Sequence, residues 1–106
     1  MEIFKGDTFK FDFGATLEDG TVYEFQQGDI LKVGVKDRLS SSIYVLYKKI
    51  EIQEATEEIR VYFPAAEMED VSEGDKILEV ELTDTSGNVS TLYQEKIKVK
   101  GVVINE

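Results

Sequence analysis

The sequence contains no cysteine, no histidine and no tryptophan, and it has a single proline, Pro64. Without cysteine, neither a disulfide framework nor a thiolate site can form. Without histidine, the chain lacks the commonest general base and the commonest zinc ligand. The longest uninterrupted apolar run is Ile-Tyr-Val-Leu-Tyr at 43–47, whereas a membrane-spanning helix needs about 20 apolar residues. These absences argue against thiol chemistry, zinc chemistry and membrane insertion.

Acidic residues dominate the charge: 22 Asp and Glu oppose 12 Lys and Arg, so the formal net charge is −10. A surface this negative repels phosphate backbones, and nucleic acid is therefore not expected as a partner. The 106 residues, 42% of them hydrophobic, suit one domain with one core, because single cores usually span about 100 to 150 residues. We expect a single domain over 1–106. The first residues, MEIFKGD, lack the basic and apolar regions of a signal peptide, which favours a location in the bacterial cytoplasm.

Apolar and polar residues alternate with a period of two along much of the chain, the pattern of half-buried strands. Gly, Asp, Asn and Ser cluster between the alternating segments as turn signals. Short, regularly punctuated strands predict an all-β fold, here an immunoglobulin-like antiparallel β-sandwich of about 7–8 strands; a closed barrel stays open as an alternative. The alternating core positions are Phe9, Phe11, Phe13, Leu31, Val33, Val35, Ile59, Val61, Phe63, Leu78, Val80, Leu82, Ile97 and Val99.

One helical turn and one long hairpin complete the predicted elements. Pro64 suits the start of a helix, where its missing N–H is no loss, and the residues after it predict one short helical turn near 64–70. The stretch 73–99 predicts a hairpin whose bend at 84–88 contains the Gly and Asn that turns require. Three Gly-Asp pairs, at 6–7, 28–29 and 74–75, are interpreted as turn chemistry before strands.

Carboxylates are numerous, but they fall in turns or at polar strand positions, where water solvates them. We therefore predict a protein that is not an enzyme: no catalytic residue, no cofactor and no metal centre is identified. The serines at 40–42 have no histidine to activate them. Asp84, Ser86 and Asn88 alternate as calcium ligands often do, but no closing Glu follows. A weak calcium site in these turns stays open.

The irregular stretch is SSSIYVLYKKIEIQ, at 40–53. Tyr44, Leu46, Ile50 and Ile52 share one parity and predict a core-facing side of a strand over 43–53. On the other side, apolar residues occupy the first half of the strand: Ile43, Val45 and Tyr47. This second face is either core beneath a loop or a patch that contacts a partner, and we leave both interpretations open.

The order of the motifs resembles a known phage module. Gly-Asp-Thr at 6–8 leads into a strand, a Lys/Val-alternating strand follows at 32–36, and a Pro-containing turn and Gly-Asp span 64–75. A long hairpin then contains Thr-Leu-Tyr at 91–93. This pattern resembles the N-terminal immunoglobulin-like domain of phage and prophage baseplate upper proteins. The Gly-Xaa-Tyr that commonly enters the late strand of that family is replaced here by Gly74-Asp75-Lys76.

The resemblance implies a structural module of a phage or prophage tail, located in a virion and packed against other tail proteins. We accordingly expect protein partners, self-association included. The alternative is a β-sandwich that binds carbohydrate or a cell surface through aromatic side chains. Its candidate platforms are Tyr23, Tyr44, Tyr47, Tyr62 and Tyr93.

Overall fold

The computed structural model describes residues 1–101, and strands account for about half of them. The elements are β1 (Glu2–Phe4), β2 (Phe9–Phe13), β3 (Ile30–Lys36), β4 (Leu46–Glu51), β5 (Ile59–Phe63), α1 (Ala65–Met68), β6 (Gly74–Thr83) and β7 (Val89–Lys100). The predicted all-β, sandwich-like fold is confirmed, with its one short helix after Pro64. The immunoglobulin-like topology stays a prediction.

Two sheets face each other. The larger is curled and five-stranded, in the order β1-β7-β6-β3-β4, and the smaller contains only β2 and β5. The period-two positions predicted for the core do point inward, because side chains on a strand alternate between its faces. Of the fourteen, thirteen are buried and Phe11 is half-buried against the rest. The two sheets therefore share one core.

The larger sheet is mixed, whereas we predicted antiparallel strands throughout. β1 pairs in parallel with the end of β7, with Glu2 opposite Lys98 and Phe4 opposite Lys100. Three residues are too few to show a period, so the sequence carried no signal for β1. The chain leaves β1 for the smaller sheet instead of returning in a hairpin. Its partner is consequently a strand distant in sequence, and the direction of that strand is not fixed by a turn.

Glycine serves the predicted turn role at the Gly-Asp pairs 6–7 and 28–29, whereas the third pair does not precede its strand: Gly74 is the first residue of β6 and pairs with Val99. Gly6 has φ +83°, Gly28 +94° and Gly74 +120°, a region that residues with a Cβ rarely adopt. Asp29, after the second of these glycines, is buried and accepts hydrogen bonds from the Tyr23 hydroxyl (3.0 Å) and the Gln26 amide (2.9 Å). These contacts hold the chain where it enters β3.

The β6–β7 hairpin is the longest element pair. β7 has 12 residues and so spans roughly 40 Å, in a molecule whose extents are 52 × 28 × 24 Å. Only the end of β7 is buried, at Ile97 and Val99, while no residue of 89–96 is. The first two thirds of β7 therefore extend along the surface.

Candidate functional site

The predicted contact residues Ile43, Val45 and Tyr47 do not lie on one face. Ile43 is 75% exposed, in the loop before β4, and Tyr47 is 44% exposed, on β4. Val45 packs partly against the core, and its amide donates to the Val35 carbonyl at 2.8 Å. The predicted strand over 43–53 is wrong at its start, because β4 begins only at Leu46. Alternation along a strand cannot be extended into the loop before it.

Tyr44, which we expected in the core, lies instead on the outer face of the larger sheet. Its ring covers Gly34: a Cβ at position 34 would come within 2.1 Å of the Tyr44 Cε1 atom. The Tyr44 and Tyr47 rings are 5.2 Å apart, and the Lys36 ammonium lies 4.9 Å from the Tyr44 ring centre. A glycine inside a strand often marks such a close approach. In the sequence, the glycine at position 34 between two strand valines was the available sign that another side chain packs there.

A polar network extends from this aromatic pair across the outer face. The Lys36 Nζ lies 3.7 Å from a Glu79 carboxylate oxygen, and the Gln94 side-chain amide donates to the other Glu79 oxygen at 2.9 Å. The Lys36 and Glu79 side chains are mostly buried. Each charged group thus has a partner in place of the water it loses. The network joins β3, β6 and β7 on this face.

Most of β7 has a partner strand on one side only. β6 pairs with it along nearly its whole length, whereas β1 pairs only with Lys98, Val99 and Lys100. Within residues 1–101, nothing pairs with the other edge of 89–96. We call this segment the β7 edge. Unpaired backbone groups along a strand are able to add a further strand.

The direction of the free backbone groups follows from β1. The Lys98 amide donates to the Met1 carbonyl at 2.9 Å, so Lys98 directs its backbone groups away from β6. Because backbone groups alternate in direction along a strand, Lys96 and Gln94 direct theirs to the same side. A register shift follows at Leu92, where β7 holds one more residue than β6. Such a bulge increases the local twist.

The β7 edge carries few charges. Residues 89–94 read Val-Ser-Thr-Leu-Tyr-Gln, without a charged side chain, and Glu95 and Lys96 cancel each other. Val89 is 61% and Tyr93 41% exposed. Natural edge strands are commonly protected by charges, by proline or by bulges. Of these three, the uncharged part of this edge has only the bulge.

A cleft of about 290 Å³ opens beside the β7 edge. Its lining comes from the chain start, from β2 with the glycine after it, and from β6 and β7: Met1, Phe11, Asp12, Phe13, Gly14, Leu78 and Tyr93. The Phe13 and Tyr93 rings meet edge to face at 6.1 Å, and the terminal ammonium lies 3.6 Å from Glu95. The cleft and the β7 edge thus form one continuous surface.

The Tyr93 hydroxyl donates a hydrogen bond to the Glu95 carboxylate. This hydrogen bond raises the pKa of Tyr93 above its ordinary value. The Glu95 carboxylate thereby gives the phenol proton a fixed acceptor. Tyr93 supplies this surface with an exposed ring whose polar end is already satisfied.

Asp84 holds the tip of the hairpin. One of its carboxylate oxygens accepts the amides of Ser86 and Asn88, both at 2.9 Å. The hydrogen bond from the Asn88 amide is the main cause that lowers the pKa of Asp84. No group of three or more Asp, Glu, Cys or His side chains placed to hold a metal occurs within residues 1–101. The observed role of Asp84 is to close the turn.

The five tyrosines do not form one platform. Tyr44 and Tyr47 are paired on the outer face, whereas Tyr93 borders the cleft. Tyr62 is exposed on β5, in the smaller sheet. Tyr23 is half-buried, and this burial is the main cause that raises its pKa. Among the tyrosines of residues 1–101, Tyr44 and Tyr47 are the two whose rings contact each other.

No protein-family model matches the chain, and no curated protein or solved structure is detectably similar to it. Within residues 1–101, no helix has the length and apolar character needed to span a bilayer. The candidate site consequently rests on its own geometry.

Proposed function

We propose that this chain is a non-catalytic assembly module that binds another protein through the β7 edge and the cleft beside it. A location in the tail of a phage or prophage, of the baseplate type, is the setting that the sequence pattern favours. The observation that carries the proposal is the long uncharged stretch of β7 whose outward backbone groups have no partner within the described residues. Strand addition to such an edge uses main-chain hydrogen bonds for affinity and side-chain pockets for specificity.

Site-specific photo-crosslinking tests this proposal. A photoreactive amino acid at Thr91 samples the β7 edge, and one at Ser40, in the exposed loop after β3, is the matched control. Crosslinking is done in an extract of cells that produce the chain. We expect a protein adduct of defined mass at position 91 but not at 40. The absence of an adduct specific to position 91 would overturn the proposal.

The second candidate function is carbohydrate binding on the outer face of the larger sheet. It is favoured by the Tyr44–Tyr47 pair, because the Lys36 ammonium lies beside the Tyr44 ring. Sugars stack on aromatic faces and hydrogen-bond to polar neighbours. A glycan array tests it: we expect binding by the native chain and its loss in Tyr47→Ala. A blank array would reject this function.

A further inference from the structure

We infer that the strand added to the β7 edge is the β7 edge of a second copy, paired antiparallel about a two-fold axis. This inference rests on the proposed function, because it names the partner of the same surface. A two-fold axis is the commonest symmetry of homodimers, and it places the same patch of each subunit in contact. Antiparallel pairing of two identical strands is the arrangement that satisfies this symmetry.

The position of β1 limits the pairing to 89–96. The Met1 carbonyl already accepts the Lys98 amide, so an added strand has to end before that residue. Pairing centred on Leu92 and Tyr93 uses the whole free segment without reaching β1. Both copies carry the bulge at Leu92, and a bulge increases the twist of its strand. Two strands that twist at the same place match each other best when their bulges are adjacent.

The distribution of charge permits a second copy at this edge. Each chain carries −10, so most pairs of surfaces on two copies repel. The β7 edge avoids this repulsion locally, because 89–94 has no charge and Glu95 and Lys96 cancel. In the centred pairing, Glu95 lies opposite Ser90 of the second copy and Lys96 lies opposite Val89. No like charges are directly opposed, as stable cross-strand pairing requires.

The exposed apolar side chains supply the rest of the contact. Val89 and Tyr93 lie on the β7 edge and are exposed. Each would have a symmetry-related copy in the dimer. The contact surface is short, and interfaces of small area usually form weak complexes. The expected dimer therefore depends on protein concentration. Salt screens the repulsion between two acidic chains, so added sodium chloride should strengthen it.

Sedimentation velocity over a concentration series tests the inference, on the chain without any tag. We expect a monomer–dimer equilibrium that shifts toward dimer as sodium chloride is raised. Thr91→Lys places a charge on the β7 edge and should weaken association at least tenfold. Ser40→Lys changes the net charge by the same amount in an exposed loop and should leave association unchanged. If charge reduction alone controlled association, both variants would dimerise more strongly.

Hydrogen exchange identifies the surface involved. The amides of Gln94 and Lys96 should become protected as concentration rises, whereas that of Tyr47, on β4, should not change. A chain that stays monomeric, or a dimer that Thr91→Lys leaves intact, overturns self-pairing. With a position-91 adduct to a different protein, the assembly proposal survives and only the identity of the partner is wrong. A monomeric chain without any such adduct overturns both.

Discussion

The two edges of the larger sheet differ in how they are protected. β4 forms one edge and pairs only with β3 within the described chain; it reads LYKKIE, with charges at Lys48, Lys49 and Glu51. Lys48 also contacts the Phe63 ring (5.4 Å) and Glu67 of α1 (3.6 Å), which ties this edge to neighbouring elements. The β7 edge has no charge along 89–94, and its Tyr93 ring contacts Phe13 of β2.

Charged side chains and covering elements are means by which proteins prevent strand addition. One edge of this sheet carries charges, and the other has none along 89–94. Because the two edges belong to one sheet and one chain, composition and solubility cannot explain the difference between them. Between the two edges of this sheet, the contrast supports the β7 edge as the proposed place of strand addition. The following predictions challenge that contrast, starting with the largest effect.

The largest effect is expected from Leu31→Ala. Leu31 is fully buried on β3 and lies between Ile50 of β4 and Leu82 of β6. Its loss should lower the free energy of unfolding by about 2 to 5 kcal/mol, since the mutation leaves a cavity. Urea titration followed by circular dichroism and by tyrosine fluorescence measures it. Coincident transitions would show that both edges belong to one cooperative unit.

The matched control for that variant is Leu39→Ala, in an exposed loop. It should change stability by less than about 0.5 kcal/mol. An equal loss in the two leucine variants would contradict the assignment of Leu31 to the core.

A smaller effect is expected from Gly34→Ala, which perturbs the β4 side alone. The new methyl group would overlap the Tyr44 ring, and overpacking of this kind costs about 1 to 3 kcal/mol. Thermal unfolding measures the change. In a Tyr44→Ala background the same substitution should cost far less, because the clash is absent. Additive effects would show that the ring does not lie over Gly34 in solution.

The β4 edge should become able to add a strand when its charges are removed. Lys49→Thr with Glu51→Thr leaves the net charge unchanged and spares Lys48, which has other contacts. We expect species larger than a dimer in sedimentation velocity, because both edges of the sheet can then add strands. Thr91→Lys in the same chain should return the assembly to a dimer. If the double variant associates no more than the native chain, charge does not protect this edge.

The smallest effect is on the hairpin tip and depends on pH. Backbone hydrogen bonds lower the pKa of Asp84 in the folded chain, so its carboxylate stabilises the turn above the ordinary Asp pKa. That contribution is lost as the pH falls through the lowered value. Nuclear magnetic resonance should show the Ser86 and Asn88 amides shifting together in that acidic range. Asp84→Asn keeps an acceptor oxygen and should abolish the shift; its persistence would implicate another group.

The alternation of side chains was sufficient to predict the core. Strands such as β2 and β5 repeat their period cleanly, and burial on one face follows directly from it. The prediction from sequence failed where alternating residues do not form a strand. The loop before β4 reads as a continuation of that strand, so Tyr44 was assigned to the core face and Val45 to the opposite face, where core or partner contact stayed open. Only Gly34, on another strand, indicated where a ring would lie.

The β7 edge was not predicted, for a different reason. Whether a strand lies at the edge of a sheet depends on the order of strands, which the periodicity of one strand does not contain. The three-residue β1 pairs with the end of β7 and thereby defines where the free part starts. An uncharged stretch such as Val-Ser-Thr-Leu-Tyr-Gln indicates a strand, but it does not show which edge of that strand lacks a neighbouring strand.

The parallel pairing of β1 with β7 affects how the chain should be cloned. Met1 lies beside Lys98, and residues fused ahead of it would continue along β7 toward Tyr93. An amino-terminal affinity tag of a few residues is therefore positioned to add as a strand to its own molecule. A tagged preparation could then behave as a monomer while the untagged chain associates. A tag at the other terminus cannot pair with the β7 edge in this way. Comparing the association of the two tagged preparations would therefore test whether the β7 edge is the strand that pairs.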